Sequence, residues 1–248
     1  MQAVAYWMPK QGTSASEWED GVSYSRASGW FCVTDGASTG GSSREWAFAL
    51  AFSFVADQPV GVFDETAAGR RSFATWLQSV RSRFDPSSRD FVPSRMPKWV
   101  QKVGAQEGAY ATMLGGHLEA GRVRMVAVGD CCAFHVGPAG VRATFPLSTS
   151  TQFGSHPEFV SSVESNGSSA KPRCVTTTFD IGDRLVVASD ALSEWLMHRA
   201  DDRAVWTTVM GVDHAGFDDL CSDLRTAGVM KNDDVTMLRC SLTSTDST

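Results

Sequence analysis

The stretch Val123–Phe145, VRMVAVGDCCAFHVGPAGVRATF, carries the reading of the fold. An apolar run, Val123–Val128, breaks at Gly129-Asp130 and resumes as Ala133–Val136. It then turns at Gly137-Pro138-Ala139-Gly140 into a last short run ending at Phe145. Short β-branched or aromatic runs separated by Gly, Asp or Pro are the signature of strands and turns, and the segment from Cys131 to Phe145 reads as a hairpin. Further runs at Ala3–Trp7, Trp30–Thr34, Val175–Phe179, Arg184–Ala188 and Val235–Leu242 extend the pattern. Arg184–Ala188 (RLVVA) is apolar almost throughout, which predicts a strand covered on both faces. Strands outnumber crossover helices in the middle of the chain, so a doubly wound parallel sheet fits poorly. The class is α/β in the broad sense, an α+β arrangement of mostly antiparallel sheets with helices outside.

Helical periodicity frames these strands. Phe73, Trp76, Leu77, Val80 and Phe84 mark one apolar face of a helix over Arg70–Phe84. Phe217, Leu220, Cys221 and Leu224 repeat the spacing, with Gly228 as a stop. Ser43–Val55 is apolar nearly all round and predicts a buried helix capped by Ser42 or Ser43. Ala191–Arg199 predicts a short helix directly after a strand. Trp46, Trp76 and Trp195 fall in these helices and read as core.

The 248 residues carry 22 Lys+Arg against 28 Asp+Glu, a net charge of −6 that argues against a nucleic-acid partner. The hydrophobic fraction of 42% is that of a folded domain, expected over residues 1–242, with 243–248 a polar tail. No apolar run reaches the ~20 residues that span a bilayer, and the N-terminus lacks the marks of a signal peptide. A cytoplasmic location without membrane attachment is the expectation. Six cysteines with no CxxC or Cys/His pattern predict free buried thiols rather than disulfides or a zinc site. The five histidines form no HxH or HExxH pattern. The string STGGSS (Ser38–Ser43) lacks the GKS/GKT of a P-loop and reads as a lead-in to the following helix. Ser148–Lys171, rich in Ser with Gly and Pro, is long for a loop inside a domain, and such loops are usually functional.

The chemistry concentrates in acidic residues at strand ends: Asp35 after FCVT, Asp130 after MVAVG, Asp190 after LVVAS, and Asp233 before VTML. Each alone is adequately read as a turn or cap residue; Asp35-Gly36 has the form of a type I′ turn, and Asp190 that of a helix cap. Together they would make a half-desolvated, all-oxygen cluster. Such a cluster is costly without a cation, and it suits Mg²⁺ or Mn²⁺ better than zinc.

The strings VTDGAST, YATMLGGHL, VAVGDC, VVASDALSEWL and NDDVTML, in this order and with Glu19-Asp20 upstream, resemble the PP2C-type (PPM) metal-dependent Ser/Thr protein phosphatases of bacterial type. The resemblance spans roughly Tyr6 to Ser241. It implies a four-layer α-β-β-α sandwich and hydrolysis of phosphoserine and phosphothreonine in proteins by a metal-activated water, with two Mn²⁺ or Mg²⁺ ions and in some members a third. Asp35 would bridge the two ions and the Gly36 carbonyl would complete one site. Asp190 and Asp233 would bind the other ion, with Glu19 and Asp20 acting largely through waters. Asp130 and Glu194 match the positions of the third metal, and Lys10 lies where a basic residue meets the substrate phosphate. Phosphorylated proteins are the implied partners, with a Ser/Thr kinase as the opposing activity.

Three positions depart from the pattern. Ala37 stands where many members have a His that protonates the leaving group, Ala191 where Gly follows the Asp, and Cys131 where Ser is usual. No core carboxylate is lost, which favours an enzyme over a non-catalytic relative that binds phosphoproteins or regulates a kinase. A hydrolase with an N-terminal nucleophile is set aside, because Met1-Gln2 supplies none.

Overall fold

The apolar runs pair into two antiparallel sheets in the computed structural model, which describes residues 1–37, 42–84, 108–154, 157–164 and 170–242. The first sheet takes, in spatial order, β1 (Gln2–Met8), β11 (Val235–Ser241), β10 (Arg184–Ala188), β6 (Cys132–Gly137) and β7 (Gly140–Phe145). The second takes β2 (Gly21–Tyr24), β3 (Trp30–Gly36), β4 (Tyr110–Glu119), β5 (Gly121–Val128) and β9 (Arg173–Phe179), with the two-residue β8 (Val160–Ser161) on β4. The expected hairpin is β6–β7, closed at Gly137 opposite Gly140.

Strand side chains alternate between faces, and the alternation stacks the layers. On β3, Phe31 and Val33 face the middle layer with Leu114, Leu185, Val187 and Leu238. Trp30 and Cys32 face the other way, into a core shared with helices α1 (Ser43–Asp57) and α2 (Ala67–Arg83). On β10, Leu185 and Val187 point inward, while Val186 and Ala188 meet α3 (Asp190–His198), α4 (Arg203–Gly211) and α5 (His214–Thr226). The apolar RLVVA string is thus buried on both faces, and the chain is the expected α-β-β-α sandwich. The six cysteines are buried and free, and Trp46, Trp76 and Trp195 are core residues. No helix among the described residues is long and apolar enough to cross a membrane.

Some expectations change. Helix α1 is not buried all round: Trp46, Ala47, Leu50, Ala51 and Phe54 face the sheet, whereas Phe52 is 55% exposed. Asp35-Gly36 is no turn, because both residues remain in β3, paired with Thr112 and Ala111. Strands β2 and β4 and helix α4 appear where no regular element was expected. In β4 the obscuring feature is Gly115-Gly116, which lowers strand propensity. A Cβ on Gly115 would lie 2.5 Å from the Phe54 ring, and one on Gly116 would lie 2.3 Å from the Phe31 ring. Aromatic rings fill the two faces, so the central strand can carry only hydrogen there. Ser38–Gly41 and the tail 243–248 lie outside the described residues.

Gly115→Ala forces a methyl group into the fully buried Phe54 ring, and overpacking of this kind costs about 1–3 kcal/mol. Urea unfolding is expected to show that loss with an unchanged m-value.

Candidate metal centre

The pairing registers bring one end of each sheet to the same place. In the first sheet, Met8 lies opposite Val235, and Ala188 lies opposite both Met237 and Cys132. The end of β1, the start of β11, the end of β10 and the start of β6 therefore coincide. In the second sheet, Gly21 lies opposite Thr34 and Met113 opposite Val128, so the start of β2 and the ends of β3 and β5 coincide. The corner Gly129–Cys131 carries the chain from β5 to β6, joining the two ends. Lys10, Asp20, Asp35, Asp130, Asp190, Asp233 and Asp234 all sit at or just beyond these strand ends.

Two glycines make the convergence possible. A Cβ on Gly36 would come within 2.7 Å of the Glu19 carbonyl oxygen and 3.0 Å of the Ser43 carbonyl oxygen, so only glycine admits both backbones beside Asp35. Gly129 has φ +96°, and its Cβ would meet the Thr112 side chain at 2.5 Å. Thr112 faces Asp35 across the β3–β4 ladder, and its hydroxyl lies 3.2 Å from the Cys131 Sγ, which ties the bridging corner to the second sheet.

The electrostatics identify the cluster. Burial pushes the Asp35 pKa well above the ordinary carboxylate value, and the neighbouring charges of Asp20, Asp190, Asp130 and Asp233 push it further. Asp20 is completely buried, and neither of its oxygens has a hydrogen-bond partner among the described residues. Burial, with Asp234 and Asp190 adding repulsion, raises its pKa to about 8; the nearby Thr236 and Ser189 hydroxyls oppose the shift without forming an ordinary hydrogen bond. Asp130 is pushed up to about 7 by burial and then by Asp190, and its Oδ1 is likewise buried without a partner among the described residues. Asp190, the first residue of α3, is raised by burial and by Asp233. Five carboxylates from both sheets therefore feel one another's charge.

The surrounding groups hold these acids in place. Asp234 accepts hydrogen bonds from the backbone N–H of Lys10 at 2.8 Å and of Glu19 at 2.7 Å, pinning both loops to β11. Arg225 donates to the carbonyls of Pro9 at 2.9 Å and Asp233 at 2.5 Å. The Ser189 hydroxyl accepts from the Thr236 N–H at 2.9 Å, fixing the turn before Asp190. The Lys10 Nζ lies 3.4 Å from Glu19 Oε2. Burial opposes the lysine charge, but Glu19, then Asp234 and Asp233, outweigh it and hold the pKa above the ordinary lysine value. Lys231 Nζ lies 2.8 Å from Glu194 Oε2 and 3.7 Å from Asp190 Oδ2.

Every residue expected at the site is thus placed at this junction: Lys10, Glu19, Asp20, Asp35, Gly36, Asp130, Asp190, Glu194 and Asp233. Asp234, Arg225 and Lys231 were not anticipated. The paired acids in NDDVTML were the available signal for Asp234, while Lys231 and Arg225 look like ordinary surface cations in the sequence. Ala37 follows β3 directly, its N–H bonded to the Tyr110 carbonyl at 2.9 Å. His117 and His135 serve elsewhere, His117 against Trp30 and His135 in a buried pair with Asp183 at 2.7 Å. His156 is outside the described residues. Residues of Ser148–Lys171 stand beside the site: Gln152, Glu158 and Lys171, with Leu147 and Arg173, line a cavity of about 430 Å³ that reaches Asp130.

As the side chains stand, no three acid, imidazole or thiol groups among the described residues meet closely enough to hold one ion. The donor chemistry nonetheless fits hard divalent cations. It is all oxygen, strongly negative, and includes buried carboxylate oxygens that lack a donor among the described residues.

No protein-family model matches the sequence, and no curated protein matches it. The fold does match solved structures along its whole length. The Mycobacterium tuberculosis serine/threonine phosphatase PstP/Ppp superposes with a TM-score of 0.62 at 15% identity, over 97% of this chain and 98% of that one. The photosystem II phosphatase PBCP gives 0.61 at 13%, over 98% and 99%. The PstP catalytic domain in complex with two manganese ions gives 0.60 at 16%, over 97% of each. The shared property at these identities is the fold, which is that of the PP2C-type phosphatases.

Because Asp20 ionises near 3.8 in the unfolded chain and near 8 in the folded one, the folded metal-free chain retains a proton that the unfolded chain gives up between those values. Its stability therefore falls as pH rises through that window. The melting temperature of metal-stripped protein is expected to drop between pH 5 and pH 8 by at least about 2–4 °C, the shift that 1 kcal/mol produces in a chain this size. Asp20→Asn should flatten the profile.

Proposed function

We propose that this chain, whose fold is that of the PP2C-type Ser/Thr phosphatases, is a metal-dependent phosphatase that hydrolyses phosphoserine and phosphothreonine in proteins. The observation that carries this reading is the convergence of Asp20, Asp35, Asp130, Asp190 and Asp233 from two sheets, with Asp20 buried and without a hydrogen-bond partner among the described residues. A fold has no structural use for such a cluster, since each buried unpaired carboxylate costs stability. The cost is intelligible when a cation is bound there.

In this reading Asp35 and the Gly36 carbonyl would be among the groups that hold Mn²⁺ or Mg²⁺. Asp190 and Asp233 would hold a second ion, and Glu19 and Asp20 would act largely through waters. Asp130 and Glu194 adjoin Asp190, whose charge each of them feels. Bound there, the ions supply Lewis acidity and make water acidic enough to ionise near neutral pH. The protein's own part is positioning. Lys10, steered by Glu19 at 3.4 Å, offers its ammonium to the non-bridging phosphoryl oxygens, where negative charge must be balanced during in-line displacement. Asp234 and Arg225 keep the Lys10 and Asp233 loops fixed while substrate enters. The Cys131 thiol is no rival nucleophile: burial, and then the Asp35 charge, push its pKa well above that of a free thiol. Ala37 has no proton to give, so the leaving oxygen takes its proton from another donor. A reducing compartment, the cytoplasm, suits six free thiols, and a Ser/Thr kinase would supply the opposing reaction.

Turnover of para-nitrophenyl phosphate and of phosphoserine and phosphothreonine peptides is expected with Mn²⁺ and to vanish on chelation. Asp35→Asn, which keeps shape and removes charge, should lower turnover at least ~100-fold, the scale of losing one key electrostatic group. Absence of turnover at saturating Mn²⁺, with phosphoprotein binding retained, would make the chain a binding module instead. Shortening the loop 148–171 beside the cavity at Asp130 should change activity toward phosphoproteins more than toward the small ester; equal effects would remove a recognition role from that loop.

A further inference from the structure

Lys231 is a cation set against the acids of α3 at the edge of the junction. It sits in the turn between α5 and β11, two residues before Asp233, and its side chain is about half exposed. Such a lysine would ordinarily extend into water, because solvation and side-chain entropy both favour that. Here it folds back onto acids from α3, with Nζ 2.8 Å from Glu194 Oε2 and 3.7 Å from Asp190 Oδ2. Asp190 and Glu194 lie one helical turn apart and present a pair of carboxylates on one face of α3. Asp130 adds a third acid from the β5–β6 corner. It is 6% exposed, it borders the cavity of about 430 Å³, and its Oδ1 has no hydrogen-bond partner among the described residues.

We propose that the Lys231 ammonium is the resident cation of the group Asp130, Asp190 and Glu194, so that the chain binds two divalent ions and no third. The inference rests on the metal-centre reading above and concerns what occupies one side of it. A tethered ammonium competes with a free ion at a high effective concentration set by its short connection to β11. An incoming divalent cation must break the 2.8 Å ion pair with Glu194 and accept repulsion from the displaced ammonium. The lysine supplies one positive charge where an ion would supply two. That is enough to hold Asp190 and Glu194 together, and it leaves the Asp130 Oδ1 without a hydrogen-bond partner among the described residues. Asp190 is then shared between a fixed protein charge on one side and an exchangeable ion on the other.

The number of ions bound separates the possibilities. Equilibrium dialysis of the full chain against Mn²⁺, with bound metal counted by elemental analysis, is expected to give two ions per chain for the wild type. Lys231→Met should gain one more ion, of weaker affinity, and Lys231→Arg, which keeps the charge, should remain at two. In the absence of metal, Lys231→Met should melt below the wild type and recover more of its melting temperature on Mn²⁺ addition. Three ions on the wild type would overturn the assignment of Lys231, as would two on a Lys231→Met protein whose circular dichroism shows it folded. If Lys231→Met does not fold, Lys231→Gln carries the same expectation and the same refutation. A wild type that binds no Mn²⁺ at all would remove the metal centre itself, an outcome distinct from a two-ion wild type with a two-ion variant.

Discussion

Mutual repulsion among carboxylates is the constraint around which this molecule is organised. Asp20, Asp35, Asp130, Asp190 and Asp233 are each drawn from a different strand end, and each raises the cost of ionising at least one of the others. Left to themselves, such groups would separate by moving their loops into water. The fold prevents this by placing the acids immediately outside paired strands. Displacing any one of them would break ladder hydrogen bonds or expose part of a three-tiered apolar core. Hydrophobic burial in the layers is what keeps like charges together.

The restraint is specific as well as general. Asp234 spends both carboxylate oxygens on the backbone amides of Lys10 and Glu19, so an acid adjoining the cluster serves as a clamp for the loops that flank it. Arg225, nearly buried, gathers the carbonyls of Pro9 and Asp233. The two neighbours Asp233 and Asp234 thus divide the labour: one faces the cluster, and the other ties down the chain around it. The glycines at 36 and 129 act by omission, letting two backbones approach where a methyl group would hold them apart.

The sequence discloses the layers and the acids more readily than the supports. Strands such as RLVVA and MVAVG are legible because their apolar runs are uninterrupted, and helix α2 because Phe73, Trp76, Leu77 and Val80 keep a 3.6-residue period. Strand β4 is obscured by Gly115-Gly116, since the reason for those glycines lies in two aromatic rings remote in sequence or on another strand, Phe54 and Phe31. Helix α1 misleads because its outward aromatic residue, Phe52, looks like core in a window of composition. The acids Asp35, Asp130, Asp190 and Asp233 are visible through their position at strand ends. Arg225 and Lys231 are not, because a cation's role depends on which carbonyl or carboxylate it meets, and that is a property of the folded chain. Asp20 gains its importance from a burial that a charged residue next to Glu19 gives no cause to expect.

The middle layer has a consequence for how the junction behaves as a device. Asp20 and Asp35 ride on one sheet, Asp190 and Asp233 on the other, and the separation of the two jaws is set by the side chains packed between them, among them Phe31, Leu114, Leu185 and Leu238. Those residues are apolar, and their combined thickness acts as a spacer that calibrates the gap. A single methylene gained or lost there would re-gauge the opening and with it the spacing between the acids of the two halves.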